Sequence, residues 1–128
     1  MATNRELIER GYAAYARKDF SAILALLDPE IEAHQSTAVP WGGDYRGLAE
    51  FGRYMAKLTE YVDTVVDAEE IVEAGDHVVM LGWSHGTVRA SGRRFRLRAV
   101  HVWQMESGKA RRLDVYLDTP AQLRALAP

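Results

Sequence analysis

Two side chains in the last third of the chain, His101 and Asp114, are of the types that together move protons. A carboxylate beside an imidazole holds it in one tautomer and favours its charged form, which places a proton donor or acceptor near neutral pH. Between them lies Ser107-Gly108, a two-residue hairpin signal. If those residues form the loop, Glu106 faces Lys109 and His101 falls opposite Asp114, with Trp103 opposite Arg112 and Ala99 opposite Tyr116 on the same face. A two-residue loop at Ser91-Gly92 brings Gly82, Ser84 and Gly86 to that face, and small residues there predict a hollow. The competing reading is a cross-strand polar pair that only sets the register, and a slip of one residue would send the two side chains to opposite faces.

Further candidates lie upstream. His34 and Gln35 end a short strand before an irregular loop, and alternation lets only one of them point inward. Trp41 and Tyr45 sit in that loop, as a lid or aromatic wall or simply as residues that pin the loop down. Tyr12, Tyr15, Tyr54 and Met55 recur at helical spacing and read as core, with Tyr54 a candidate to reach a pocket by its hydroxyl. His34, His77, His85 and His101 show no metal-ligand spacing, so no metal is expected. Arg93, Arg94, Arg96 and Arg98 alternate between faces without interleaved exposed aromatics, which fits a solvated edge better than a nucleic-acid surface. Gly42-Gly43 opens no phosphate loop.

The elements that must position these residues follow from periodicity. Thr3 and Glu6 have capping-box spacing ahead of Leu7, Ile8, Tyr12, Tyr15 and Ala16, which predicts a helix over 4–17. Phe20, Ile23, Leu24 and Leu27 predict a second short helix stopped by Asp28-Pro29, and a strand follows at 31–35. From Leu48 to Val62 a 3/4 spacing predicts a third helix. Strands are expected at 64–73, 77–89, 94–105 and 110–118, and Thr119-Pro120 starts a helical tail. Helices followed by an antiparallel meander make an α+β domain, with helices packed on one face of a curved sheet. The other face would carry Leu81, Trp83, His85, Val100, Val102, Leu113, Val115 and Leu117, apolar enough to need a cover such as a second subunit.

Bulk properties set the bounds. The chain has 128 residues, is 48% hydrophobic, and carries a net charge of −2, so one domain over 1–128 with one core is expected. No overall field favours nucleic acid or an anionic membrane. The absence of cysteine excludes thiolate chemistry, and with no secretory pattern or long apolar run the expected location is cytoplasmic.

Lys18-Asp19-Phe20, Leu27-Asp28-Pro29-Glu30-Ile31, Tyr45-Arg46-Gly47, Val100-His101-Val102-Trp103 and Leu113-Asp114-Val115-Tyr116-Leu117-Asp118, in this order, resemble the SnoaL-like branch of the nuclear transport factor 2-like superfamily. The resemblance spans nearly the whole chain. It implies a cone-shaped roll, commonly dimeric through the sheet, with the active site inside the cone. It also implies a cofactor-free acid/base enzyme, of polyketide cyclase or ketosteroid isomerase type, doing aldol-type cyclisation, isomerisation or lyase chemistry on a mid-sized apolar carbonyl compound. His101 and Asp114 match the cyclase pair, with Tyr116 and Gln35 as hydrogen-bonding neighbours and Trp103 as wall. His34, Trp41, Tyr45 and Tyr54 complete the expected substrate-binding set. The isomerase pattern is incomplete, because its base would land on the amide Gln35 and its first-helix tyrosine on Gly11. An epoxide hydrolase is a further alternative and would need a rearranged triad, because the acid of the usual pattern is missing where Arg98-Ala99-Val100 stands. A non-catalytic binding module of the same fold is the alternative from a different class.

Overall fold

The computed structural model describes residues 1–128. Helix α1 (Asn4–Ala16) begins at the expected capping box: Glu6 N–H donates to Thr3 Oγ1 at 3.1 Å and Thr3 N–H to Glu6 Oε1 at 3.2 Å. Lys18 takes a left-handed conformation to turn the chain, and Asp19 caps α2 (Phe20–Ala25). That helix stops earlier than Asp28-Pro29 requires, because strand β1 (Leu27–Gln35) has already begun. The irregular loop contains a further short strand, β2 (Gly43–Arg46), paired antiparallel to β1. Helix α3 (Gly47–Tyr61) then buries Phe51 and Tyr54. Strands β3 (Val62–Ala74), β4 (His77–Val88), β5 (Arg94–Glu106) and β6 (Lys109–Leu117) follow, and α4 (Thr119–Leu126) closes the chain.

The sheet is open and has the order β2-β1-β6-β5-β4-β3. It is mixed, not wholly antiparallel as the meander suggested, because β1 lies parallel to β6. Helices cover its concave face, so the α+β cone expected from the order of elements is the architecture found.

The registers decide which residues face inward. Ser107 and Gly108 form the expected tight turn, both at positive φ, with Glu106 opposite Lys109. The register then slips: Met105 pairs with Ala110 but Gln104 pairs with Arg112, which leaves Arg111 as an extra residue. Beyond this bulge His101 stands opposite Val115, while Asp114 stands opposite Val102 on the other face. The bulge has a packing cause. Ala110, Leu113 and Val115 are all buried, and only an extra residue after Ala110 lets all three point inward from one strand.

At the other turn the loop is longer than two residues, and His101 pairs with Met80 where Gly82 was expected. This shift is by two positions and so preserves the face. Gly82 and Gly86 do lie on the side of His101, but they do not hollow it out. A Cβ at Gly82 would sit 2.1 Å from the Asp67 carbonyl oxygen and one at Gly86 1.9 Å from that of Asp63, so β3 folds its backbone into the space. The glycines allow the bend of the cone.

Gly82→Ala and Gly86→Ala should each lower unfolding free energy by about 2 kcal/mol or more, in the range of overpacked cores. Gly52→Ala, in α3 with no atom within 4 Å of the new methyl group, should raise it by about 0.5–1 kcal/mol. Urea denaturation of the three variants checks the contrast.

Candidate active site

The concave sheet and helices α1, α3 and α4 enclose a cavity of about 110 Å³, mostly apolar, with 17 hydrophobic residues among its 23 lining residues. No Asp, Glu, Lys or Arg lines it. Its polar groups are neutral side chains, and six of them form two hydrogen-bonded sets, His101, Tyr12 and Trp103 in one and Gln35, Trp41 and Tyr54 in the other.

The first set joins β5 to α1. Trp103 Nε1 donates to Tyr12 Oη at 3.0 Å, and Tyr12 Oη lies 2.8 Å from His101 Nδ1, with the two rings stacked at 5.8 Å. An indole N–H can only donate, so the tyrosine oxygen accepts from it and has its own proton to give. Burial pushes the His101 pKa down to about 4, which leaves the imidazole neutral at pH 7. Burial pushes the Tyr12 hydroxyl well above the ordinary phenol range, so it keeps its proton. All three groups are satisfied when Tyr12 donates to Nδ1, and the ring proton of His101 is then on Nε2. The result is a directed relay, Trp103 to Tyr12 to His101, ending on an N–H donor at the cavity wall.

The second set is centred on Gln35, buried at the end of β1. Trp41 Nε1 donates to its Oε1 at 3.1 Å and Tyr54 Oη at 2.6 Å. Two donors on one atom identify that atom as the oxygen, so Gln35 offers only its NH₂ group to anything else. At the position where an isomerase base would stand, this chain therefore presents a donor. Tyr45 supports the set from behind: its ring packs on Tyr54 at 4.9 Å and its hydroxyl donates to the Trp41 carbonyl at 2.8 Å. Along the wall Tyr15 shares a hydrogen bond with Thr64, and Ser84 and Gln122 complete the polar lining.

The sequence-predicted residues thus divide. His101, Gln35, Trp41, Tyr54 and Trp103 line the cavity. Trp41 is fully buried, so it is a wall and not a lid. Of the pair at the end of β1, Gln35 points in and His34 points out, with its Nδ1 2.6 Å from Asp44.

Asp114 does not meet His101. It sits on the outer face in a two-bond pair with Arg112, at 2.9 and 3.0 Å, and Arg112 also reaches Glu32. The same slip turns Tyr116 outward, 55% exposed, and Leu113, Val115 and Leu117 inward. The outer face therefore carries Arg112, Asp114 and Tyr116 in place of three aliphatic residues, and Trp83 there lies between Arg96 and Arg98.

Tyr12, which helical spacing read as core, lines the cavity and bonds to His101 and Trp103. The expected first-helix tyrosine position, Gly11, also lines the cavity, and its neighbour supplies the hydroxyl. Gln122 carried no signal in sequence beyond a polar residue in a short amphipathic tail. No three His, Asp or Glu side chains come together in a way that could hold a metal ion. No helix is long and apolar enough to cross a membrane.

Comparison with known proteins places this geometry in a family. A model of the SnoaL-like domain matches residues 8–113, and the chain belongs to that family. Among solved structures, an NTF2-like protein of Burkholderia thailandensis E264 is 32% identical with a TM-score of 0.92, and each chain is covered to 100%. An NTF2-like protein of unknown function from Burkholderia pseudomallei K96243 is 26% identical with a TM-score of 0.94, again over 100% of both chains. TerC, co-crystallised with polyporic acid, is 29% identical with a TM-score of 0.87, over 96% of this chain and 97% of its own. No curated protein matches the sequence.

The low pKa of His101 makes a pH prediction. Its folded value of about 4 lies below the ordinary 6.5, so between those values the unfolded chain binds the proton that the folded chain refuses. The stability contributed by this group is complete above pH 6.5 and falls as pH drops towards 4, by roughly 3 kcal/mol across the window. Denaturation at pH 7 and pH 4 should show a smaller loss in His101→Phe than in the wild type.

Proposed function

We propose that the cavity binds a mid-sized, largely apolar, neutral carbonyl compound, and that His101 polarises the carbonyl oxygen through its Nε2–H. The observation that carries this reading is the Trp103–Tyr12–His101 relay, which leaves a neutral imidazole with its one proton on the free nitrogen. A neutral imidazole kept in a low-pKa environment is a competent electrophile for a carbonyl. A fixed donor in a dry cavity stabilises an oxyanion more than water does. The Gln35 amide is a second donor on the same wall, and Trp103 and Tyr54 shape the apolar enclosure.

The chemistry that fits is an aldol-type cyclisation that needs no carboxylate base. With Asp114 bound to Arg112 outside the cavity, the substrate supplies its own acidity, as a carbon between two carbonyls does. Its enol carbon attacks a second carbonyl whose oxygen His101 holds, the carbon–carbon bond forms, and the enol proton passes to that oxygen. TerC, of similar sequence and fold, has been co-crystallised with a small molecule, which supports a ligand-binding cone. The cavity's lack of any carboxylate equally favours binding without turnover as a second reading. For the outer face, with Tyr116, Val100 and Val102 uncovered or half-covered, we propose a second copy of the chain as partner, and the cytoplasm as the setting.

Turnover of 1,3-dicarbonyl compounds bearing a second ketone separates these readings. Asp114→Asn should keep the wild-type rate within about two-fold, and His101→Phe should lose roughly 100-fold, the effect of removing one oxyanion donor. Equal rates for wild type and His101→Phe would remove His101 from the mechanism. Binding with no turnover in the wild type would leave the binding-module reading standing.

A further inference from the structure

Gln35 and His101 stand in one row of the sheet. Gln35 on β1 pairs with Val115 on β6, and Val115 pairs in turn with His101 on β5. All three line the cavity. The Cα atoms of Gln35 and His101 are two strand spacings apart, about 10 Å, with Val115 between them.

Both donors are fixed, and both are open. Trp41 and Tyr54 hold Gln35 Oε1 at 3.1 and 2.6 Å, and a flip of the amide would set its NH₂ against the indole N–H. Tyr12 holds His101 Nδ1 at 2.8 Å. Gln35 Nε2 and His101 Nε2 have no acceptor in the protein, yet neither is sealed, since the one buried side-chain polar atom that is both sealed and unpartnered is Gln122 Nε2 on α4. No carboxylate lines the cavity to compete for them. Open donors in an apolar enclosure are satisfied by water or by the ligand that displaces it.

We infer that Gln35 is a specificity residue that receives a second acceptor oxygen of the ligand, so that the preferred ligand is a neutral molecule whose apolar body lies over Val115 and carries two carbonyl-type oxygens, one for His101 and one for Gln35. The inference rests on the reading of His101 as carbonyl donor for the first oxygen only. Two oxygens, and not one shared oxygen, follow from the row: an acceptor midway between the donors would lie against the methyl groups of Val115, whereas an acceptor on either side meets an N–H. Neutrality follows from the lining, because an anion would bring a full charge into a wall without a cation.

The test measures dissociation constants, by quenching of tryptophan fluorescence, for bicyclic probes of one skeleton: 1-tetralone with one carbonyl, and 1,2- and 1,4-naphthoquinone with two. Wild type should bind the better quinone about ten-fold more tightly than the tetralone, the effect of one added hydrogen bond. Infrared difference spectra of that quinone, labelled with carbon-13 at one carbonyl, should show both carbonyl bands at lower wavenumber when bound. Gln35→Met, of equal length and without a donor, should keep the tetralone affinity, lose the preference for the quinone, and return one band to its free position. That variant also deprives Trp41 and Tyr54 of their acceptor, so Gln35→Glu is measured beside it at pH 8. Its carboxylate still accepts from both and has no N–H to give, so the preference should be lost with the circular dichroism spectrum of the wild type. His101→Phe should weaken both probe types and release the other band. No preference in the wild type, or only one shifted band, overturns the inference. A Gln35→Met protein of wild-type circular dichroism that loses tetralone as severely as quinone also overturns it, since both donors would then share one oxygen. Loss of the preference in both Gln35 variants with no effect of His101→Phe keeps Gln35 in its role and removes His101 instead.

Discussion

The bulge at Arg111 decides what the cone contains. Without it β6 would turn Arg112, Asp114 and Tyr116 inward and set Leu113, Val115 and Leu117 against water. With it the three aliphatic residues reach the cavity and the core, and the polar residues form ion pairs outside, where water screens them. A cavity with a buried carboxylate would have charged His101 and given it a general-base partner. The aliphatic wall instead keeps the ring neutral, and the absence of charge in the cavity follows from one inserted residue in a strand.

Once charge is excluded, hydrogen-bond direction decides what the lining can offer. Indole N–H groups only donate, and they sit at the head of both polar sets: Trp103 forces Tyr12 to donate to His101, and Trp41 with Tyr54 forces Gln35 to present its NH₂. Each chain of bonds is closed at the protein end and open at the ligand end. His101 and Gln35 thus both present donors, so the polar lining is biased towards ligands that accept.

Much of the fold was legible in sequence because its signals are local. The capping box at Thr3 and Glu6, the spacing of the third helix and the turn at Ser107-Gly108 each depend on neighbours within a few residues, and each stands as read. The parallel contact of β1 with β6 carries no such signal, since no turn joins the two strands and the pairing spans most of the chain. The site was legible in part. His101, Gln35, Trp41, Tyr54 and Trp103 reach the cavity as expected, while His34, Asp114 and Tyr116 face out. The bulge did leave a trace: Ala110 and Leu113 are apolar at odd separation, which strict alternation cannot bury on one face, and the turn-based count took no account of it. Tyr12 was hidden for a different reason, because helical spacing shows which face is inward and not which inward hydroxyl finds a partner across the fold.

The uncharged lining also bears on how a ligand arrives. Charged clefts gather their ligands from a distance, and their capture rates fall as salt rises. A cone walled by aliphatic and aromatic residues has no long-range reach, so encounter runs at the unassisted diffusive rate and is insensitive to ionic strength. What holds the ligand is then contact alone, and selection among apolar molecules falls to the time each one stays, set by how many of the open donors it can occupy.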